Sequence, residues 1–213
     1  IKKINLIKTK ITFAKQKNGE LYRFGLPLGV CYDSGGFLYV ADSLHRKIVV
    51  LNPQMLIEKE WSGDLFFRPV SLAIDEERRR VYVVEPDQHK VLVLDKADGE
   101  FKWAFGERGD GDGQFNFPTD IDVDTDGNIY VLDSLNARVQ VFGPDGNFLR
   151  KFGERGTAVG SFRIPKGLAV SPNGIVYVSD SLSHRVVVFD LQGDYLLTIG
   201  GQASAEVEGF VPG

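Results

Sequence analysis

Hydrophobic residues along this chain gather in strand-length blocks, cut by polar turns rich in glycine, and the blocks recur at a fixed interval. The segment FNFPTDIDVDTDGNIYVLDSLNARVQVFGPDG from Phe115 and the segment FRIPKGLAVSPNGIVYVSDSLSHRVVVFDLQG from Phe162 match nearly residue for residue. Pro118 and Pro165 lie 47 residues apart, Pro212 follows after another 47, and Asp133 and Asp180 keep the same interval. Two looser copies come earlier, marked by Pro27 with Asp42 and by Pro69 with Glu85. A period of this size means stacked supersecondary units.

The third copy shows what one unit is. Ile121-Asp122-Val123 alternates, and Asp124-Thr125-Asp126-Gly127 supplies turn chemistry. Strands are predicted over Asn128–Leu132, Arg138–Phe142 and Phe148–Phe152, separated by the polar loop Asp133–Ala137 and the turn Pro144-Asp145-Gly146. Nothing in the unit has helical periodicity. Several strands are apolar at consecutive positions, as in Val186-Val187-Val188-Phe189, whereas a sheet with one wet face would alternate. Four-stranded antiparallel sheets stacked face to face around an axis meet that requirement, so an all-β fold, a β-propeller, is expected.

Residues 1–213 are read as a single propeller domain. Residues 1–25 are the end of a preceding blade, with strands at Ile11–Ala14 and Leu21–Gly25. Residues 26–66, 67–114, 115–161 and 162–209 are four blades, and 210–213 start a further one. About four and a half regular blades do not close a ring, so about 60 to 80 further residues are expected to complete it.

Composition narrows the function. Hydrophobic residues make up 43% and charged residues 25%, the balance of a globular chain. The net charge is −4 from 25 basic and 29 acidic residues, so no general attraction to nucleic-acid phosphates is expected. No apolar run reaches the roughly 18 residues of a membrane span. The lone Cys31 sits in an apolar run and is read as a buried small hydrophobe. Without a CxxCH motif, no haem attaches to this chain.

The string FGERGxGxGxFxxPxxIxVDxDGNIYVxDSxNxRVQVF resembles the NHL repeat. It is carried by Phe105–Gly109 through Phe117-Pro118 and by Phe152–Gly156 through Ile164-Pro165. The first two copies depart from it: Trp61-Ser62 replaces Phe-Gly, and Glu76–Arg80 replaces the Asp-x-Asp-Gly turn. The resemblance implies a six-bladed propeller but no single activity. NHL propellers include RNA-binding modules, extracellular sensor domains, protein scaffolds and an amidating lyase that holds zinc with histidines. Resemblance to bacterial NHL proteins points to an extracytoplasmic rather than a cytoplasmic site.

Candidate chemistry is judged against the repeat. Asp42, Glu85, Asp133 and Asp180 each end a second strand, and Lys47, Lys90, Arg138 or Arg185 follows five residues later. An acid–base pair present in every copy is what a structural device shows, since an active site needs its residues once. His45, His89 and His184 all fall in the loop after the second strand, so they would share one face. His89 and His184 occupy the same repeat position, which repetition explains without a metal. Asp124–Asn128 starts like an EF-hand loop, but Leu135 stands where the twelfth-position glutamate belongs, so calcium is not expected. Ser43, Ser134 and Ser181 repeat within Asp-Ser-Leu and lack the context of a catalytic triad. No catalytic residue, metal or cofactor is assigned. The expected function is a non-catalytic module docking a protein partner or ligand. Its binding face carries Glu107, Arg108, Asp110, Asp112, Gln114, Glu154, Arg155, His45, His89, Asn136 and His184. The alternatives are a metal-dependent lyase or hydrolase with histidines at the channel mouth, and an RNA-binding domain, which the acidic balance disfavours.

Overall fold

A computed structural model describes residues 14–16 and 18–201. The chain forms four antiparallel four-stranded meanders in sequence order, the blades of a β-propeller. The first blade holds β1 (Pro27–Tyr32), β2 (Leu38–Asp42), β3 (Lys47–Leu51) and β4 (Ile57–Ser62). The second holds β5 (Ser71–Asp75), β6 (Arg80–Glu85), β7 (Lys90–Asp95) and β8 (Phe101–Phe105). The third holds β9 (Pro118–Val123), β10 (Ile129–Asp133), β11 (Arg138–Phe142) and β12 (Phe148–Phe152). The fourth holds β13 (Pro165–Val170), β14 (Ile175–Asp180), β15 (Arg185–Asp190) and β16 (Tyr195–Gly200). The expected strand at Ile11–Ala14 and the blade start at 210–213 lie outside the described residues, apart from Ala14. Leu21–Gly25 is not a strand. The segment turns back at Gln16–Glu20 and makes only isolated bridges, while Tyr22 and Phe24 lie on the first blade against Val40, Val49 and Leu51.

The blades stack by burying consecutive apolar residues on both faces. Tyr39, Ala41, Ile48 and Trp61 of the first blade meet Leu72, Val81, Val83 and Leu92 of the second. The other face of the second blade, Tyr82, Val84, Val91 and Val93, meets Phe115, Ile121, Ile129 and Val131. Tyr130, Leu132, Val139 and Val141 then meet Leu168, Val176, Val178 and Val187 of the fourth blade. Each such side chain contributes about 2 kcal/mol by leaving water, which makes these three seams the main source of cohesion.

The outer faces of the end blades are covered only in part: Tyr22 and Phe24 shield Val40, Val49 and Leu51, but the inner strand β1 and the outer strand β16 stay open. Val30 of β1 is 65% exposed, whereas Leu72, Ile121 and Leu168 at the same place in the other blades are 4–8% exposed. Ile199 of β16 is 55% exposed, while Phe152, its counterpart in the third blade, is 8% exposed.

The first strands of the blades, β1, β5, β9 and β13, run side by side along the axis, and their approach dictates small residues. A Cβ on Gly29 would lie 2.6 Å from the Val70 carbonyl oxygen. Two acids on β9 stitch the inner strands together. The Asp120 carboxylate accepts from Ser71 Oγ (2.6 Å) and from the Leu168 N–H (2.7 Å), and the Asp122 carboxylate accepts from the Val170 N–H (2.7 Å). The two bonds from the fourth blade occupy backbone amides of its inner strand β13. Burial pushes both carboxyls above the usual carboxylate range.

Candidate functional site

Every second strand ends in a fully or almost fully buried acid whose carboxylate catches the loop entering its own blade. Asp42 accepts from the N–H groups of Gly25 and Leu26 (both 2.9 Å), and Glu85 from those of Phe67 (3.2 Å) and Arg68 (2.7 Å). Asp133 accepts from the Asn116 N–H (2.7 Å), and Asp180 from those of Arg163 (2.9 Å) and Ile164 (2.8 Å). The acid therefore anchors the turn from one blade to the next, a use of a carboxylate that needs no basic partner.

The basic residue five positions on is paired in only half of the copies. Arg138 Nε lies 2.9 Å from Asp133, and Arg185 Nε lies 3.7 Å from Asp180. Lys47 instead pairs with Glu60, and Asp42 pairs with His45 Nδ1 at 2.9 Å. Among the described residues no ion pair joins Lys90 to Glu85. The surroundings set the acids apart. Burial pushes Glu85 up to about 7 against its two backbone donors, and burial also raises Asp133. For Asp42 and Asp180 burial is outweighed by hydrogen bonds, so both lie below the usual range.

The repeat position four after the acid has a backbone explanation. Arg46, His89, Ala137 and His184 all have φ between 52° and 55°. In three of the copies the residue closes a single 3-10 turn, over Pro86–Gln88, Ser134–Asn136 and Ser181–Ser183, in the left-handed conformation. His89 and His184 are therefore placed by chain geometry, and His89 Nδ1 accepts the Phe117 N–H (3.2 Å). Among the described residues no three His, Cys, Asp or Glu side chains come together as a metal site would require.

Most of the loop residues expected on the binding face spend polar atoms inside the molecule. Glu107 accepts from Gln114 Nε2 (2.9 Å), and Asp112 pairs with Lys151 (2.6 Å). The carbonyls of Asp110, Gly111 and Gln114 accept from the Arg138 guanidinium at 2.7–2.9 Å. Asn136 Nδ2 donates to the Gly109 carbonyl and to Asp133, and Arg155 donates to the Leu135 carbonyl (2.6 Å). Arg108 and Glu154 are exposed on the same loops.

The face carries a feature that the sequence reading passed over. Leu44, Leu135 and Leu182, each two residues after the buried acid, are 66%, 55% and 44% exposed. Leu26, Phe67 and Ile164, in the anchored loops beside them, are 48%, 50% and 39% exposed. The hydrogen bonds from Ser43 N to Leu26 O, Leu135 N to Asn116 O and Ser181 N to Ile164 O hold the two loop sets against each other. The result is an apolar rim interrupted by arginines, with Arg46 5.6 Å from the Phe67 ring and Arg68 5.0 Å from the Phe117 ring. The signal was the Asp-Ser-Leu repeat itself, whose leucine has no strand position to fill.

Comparisons with known proteins bear on this surface through the fold. A family model described as SMP-30/Gluconolactonase/LRE-like region matches residues 26–198. NHL repeat-containing protein 2 of Gallus gallus is 33% identical over a match covering 32% of this chain and 12% of that protein. NHL repeat-containing protein 3 of Homo sapiens is 34% identical, covering 36% of this chain and 22% of that protein. The chain thus matches less than a quarter of the length of these relatives. Among solved structures, a catalytically inactive virginiamycin B lyase from Staphylococcus aureus with quinupristin superposes with a TM-score of 0.67 at 14% identity, covering 87% of this chain and 59% of that one. Kuenenia stuttgartiensis hydrazine synthase gives a TM-score of 0.63 at 15% identity, with 90% and 51% covered. At those identities the likeness is one of fold.

Proposed function

The chain belongs to the SMP-30/gluconolactonase/LRE-like family, and from that premise we propose that it is a non-catalytic interaction module of NHL β-propeller type that grips a protein partner with its loop face. The observation that carries this reading is the apolar rim. Six aliphatic or aromatic side chains on one face stay 39–66% exposed. Apolar side chains gathered on one face, with arginines between them, are the composition of a docking surface.

The rival readings have less support. The neighbours include lyases, and a metal-dependent reaction of that kind would need converging ligands. Here His45 is bound to Asp42 and His89 to the Phe117 amide. RNA binding would need a basic surface, and the net charge of −4 offers phosphates no general attraction.

The test is a variant carrying Leu44→Ser, Leu135→Ser and Leu182→Ser. Proteins retained by the wild type from an extract of its source are identified, purified and titrated against both forms. The expected result is a Kd at least tenfold weaker for the variant with Tm unchanged. Equal affinity of the two forms overturns the reading.

A further inference from the structure

The third and fourth blades are the most alike in sequence, yet the junction between loop and blade is filled in one and hollow in the other. In the third blade Arg138 is fully engaged: Nε with Asp133, and the two terminal nitrogens with the carbonyls of Asp110, Gly111 and Gln114. Gln140 bonds Gln114 and Gly113 of the same loop, and Lys151 pairs with Asp112. The corresponding residues 47 positions on are Val187 for Gln140, Thr198 for Lys151, Val159 for Asp112 and Thr157 for Asp110. Val187 cannot make the bonds of Gln140, and Thr198 with Val159 cannot form the Lys151–Asp112 pair. Arg185, the counterpart of Arg138, keeps one hydrogen bond, from Nη2 to the Ser161 carbonyl (2.7 Å), and a longer approach to Asp180. Its Nε is buried without a hydrogen-bond partner among the described residues.

The space so opened is a cavity of about 340 Å³ whose lining includes Thr157, Arg163, His184, Arg185 and Thr198. Arg163 stands where the third blade has Asn116, so the junction gains a second guanidinium where it loses its filling. Leu182, Ser183, Gly200 and Gly201 complete the lining, and among the described residues it contains no carboxylate. Two arginine charges face the single buried charge of Asp180 behind Arg185, which leaves one positive charge to be matched. We propose that this pocket binds a monovalent carboxylate, held by the guanidinium groups of Arg163 and Arg185, with the threonine hydroxyls as further donors. A planar carboxylate matches the donor geometry of guanidinium, and a group with two charges would exceed the charge on offer. The pocket lies on the loop face, but the proposal rests on its own geometry and needs no protein partner to be tested.

The test is a titration of the 15N-labelled protein, at constant ionic strength, with sodium propionate, with neutral propionamide and with inorganic phosphate. Propionate is expected to give saturable shifts of the amides of Leu182–Arg185 and Thr198–Gly201, and none at Leu135–Arg138 in the third blade. Arg163→Gln, a change at an exposed side chain that leaves the fold intact, is expected to weaken the propionate Kd at least fivefold. Arg108→Gln, at an exposed arginine of the preceding inter-blade loop, is expected to leave it unchanged. Any of three results overturns the proposal: no saturable shift, an equal response to propionamide or at the third blade, or tighter binding of phosphate than of propionate.

Discussion

Glu85 and Asp42 occupy one repeat position and each accepts from two loop amides, yet their acidities move in opposite directions. Burial wins at Glu85, whereas at Asp42 the His45 ring and N–H add to the two amides and together they outweigh burial. The native Glu85 carboxyl keeps its proton up to about pH 7, whereas an unfolded glutamate releases it near 4.5. Between those values the native state binds the additional proton, so this residue's contribution to stability grows as pH falls from about 7 to 4.5 and is lost as pH rises through 7. Glu85→Gln removes the titration. Urea unfolding across that window is expected to show wild type gaining more stability on acidification than the variant, and equal slopes count against it. Asp120, Asp122 and Asp133 are also raised by burial, but they are common to both proteins and cancel in the comparison. The spacing of acid and base was visible in the sequence, and the anchoring of the loop was not. The carboxylate's partners are backbone amides, which every residue has, so no residue type announces them. The same holds for His184, whose position is fixed by a left-handed φ of 52° rather than by its imidazole.

At the scale of the strand, side-chain type was a good guide wherever both faces are covered. Arg138–Phe142 and Phe148–Phe152 form as predicted, and the strand expected over Asn128–Leu132 runs over Ile129–Asp133. The inner strand β9 is longer than the alternating Ile121–Val123 suggested. It begins at Pro118, and its polar side chains Asp120 and Asp122 accept bonds from the neighbouring blades instead of facing water, so no alternating pattern marks it. Leu21–Gly25 has the residues of a strand but bridges only briefly, its apolar side chains serving as cover for the first blade. Pairing is a property of the neighbour, and composition does not report it. Burial likewise separates elements that the repeat makes equivalent. Ile121→Ala is expected to cost about 2–5 kcal/mol, as large-to-small changes in a packed core do. Val30→Ala, at the same repeat position on the open face, is expected to stay within about 0.5 kcal/mol. Chemical denaturation of the two variants measures both, and comparable losses would mean that the β1 face is covered.

For the whole molecule, the repeat determines both what is structural and what is offered outward. Regular copies account for the buried acids, the left-handed loop residues and the three apolar seams. Repetition also builds the rim, since Leu44, Leu135 and Leu182 recur for the same reason as Asp42, Asp133 and Asp180 and yet remain exposed. Recurrence alone therefore does not mark a residue as internal. What sequence comparison between copies did reveal is where one blade departs from the next, and the hollow beside Arg185 arises from such departures. The central claim is that partner binding uses the loop face. The most direct measurement is hydrogen exchange of the protein with and without its purified partner. Protection is expected in residues 43–46, 134–137 and 181–184 and in the anchored loops before each first strand, with the turns at 34–36, 97–99, 125–127 and 145–146 at the opposite end unchanged. Protection at those opposite turns, or on the outer faces of β1 and β16 alone, would contradict the account.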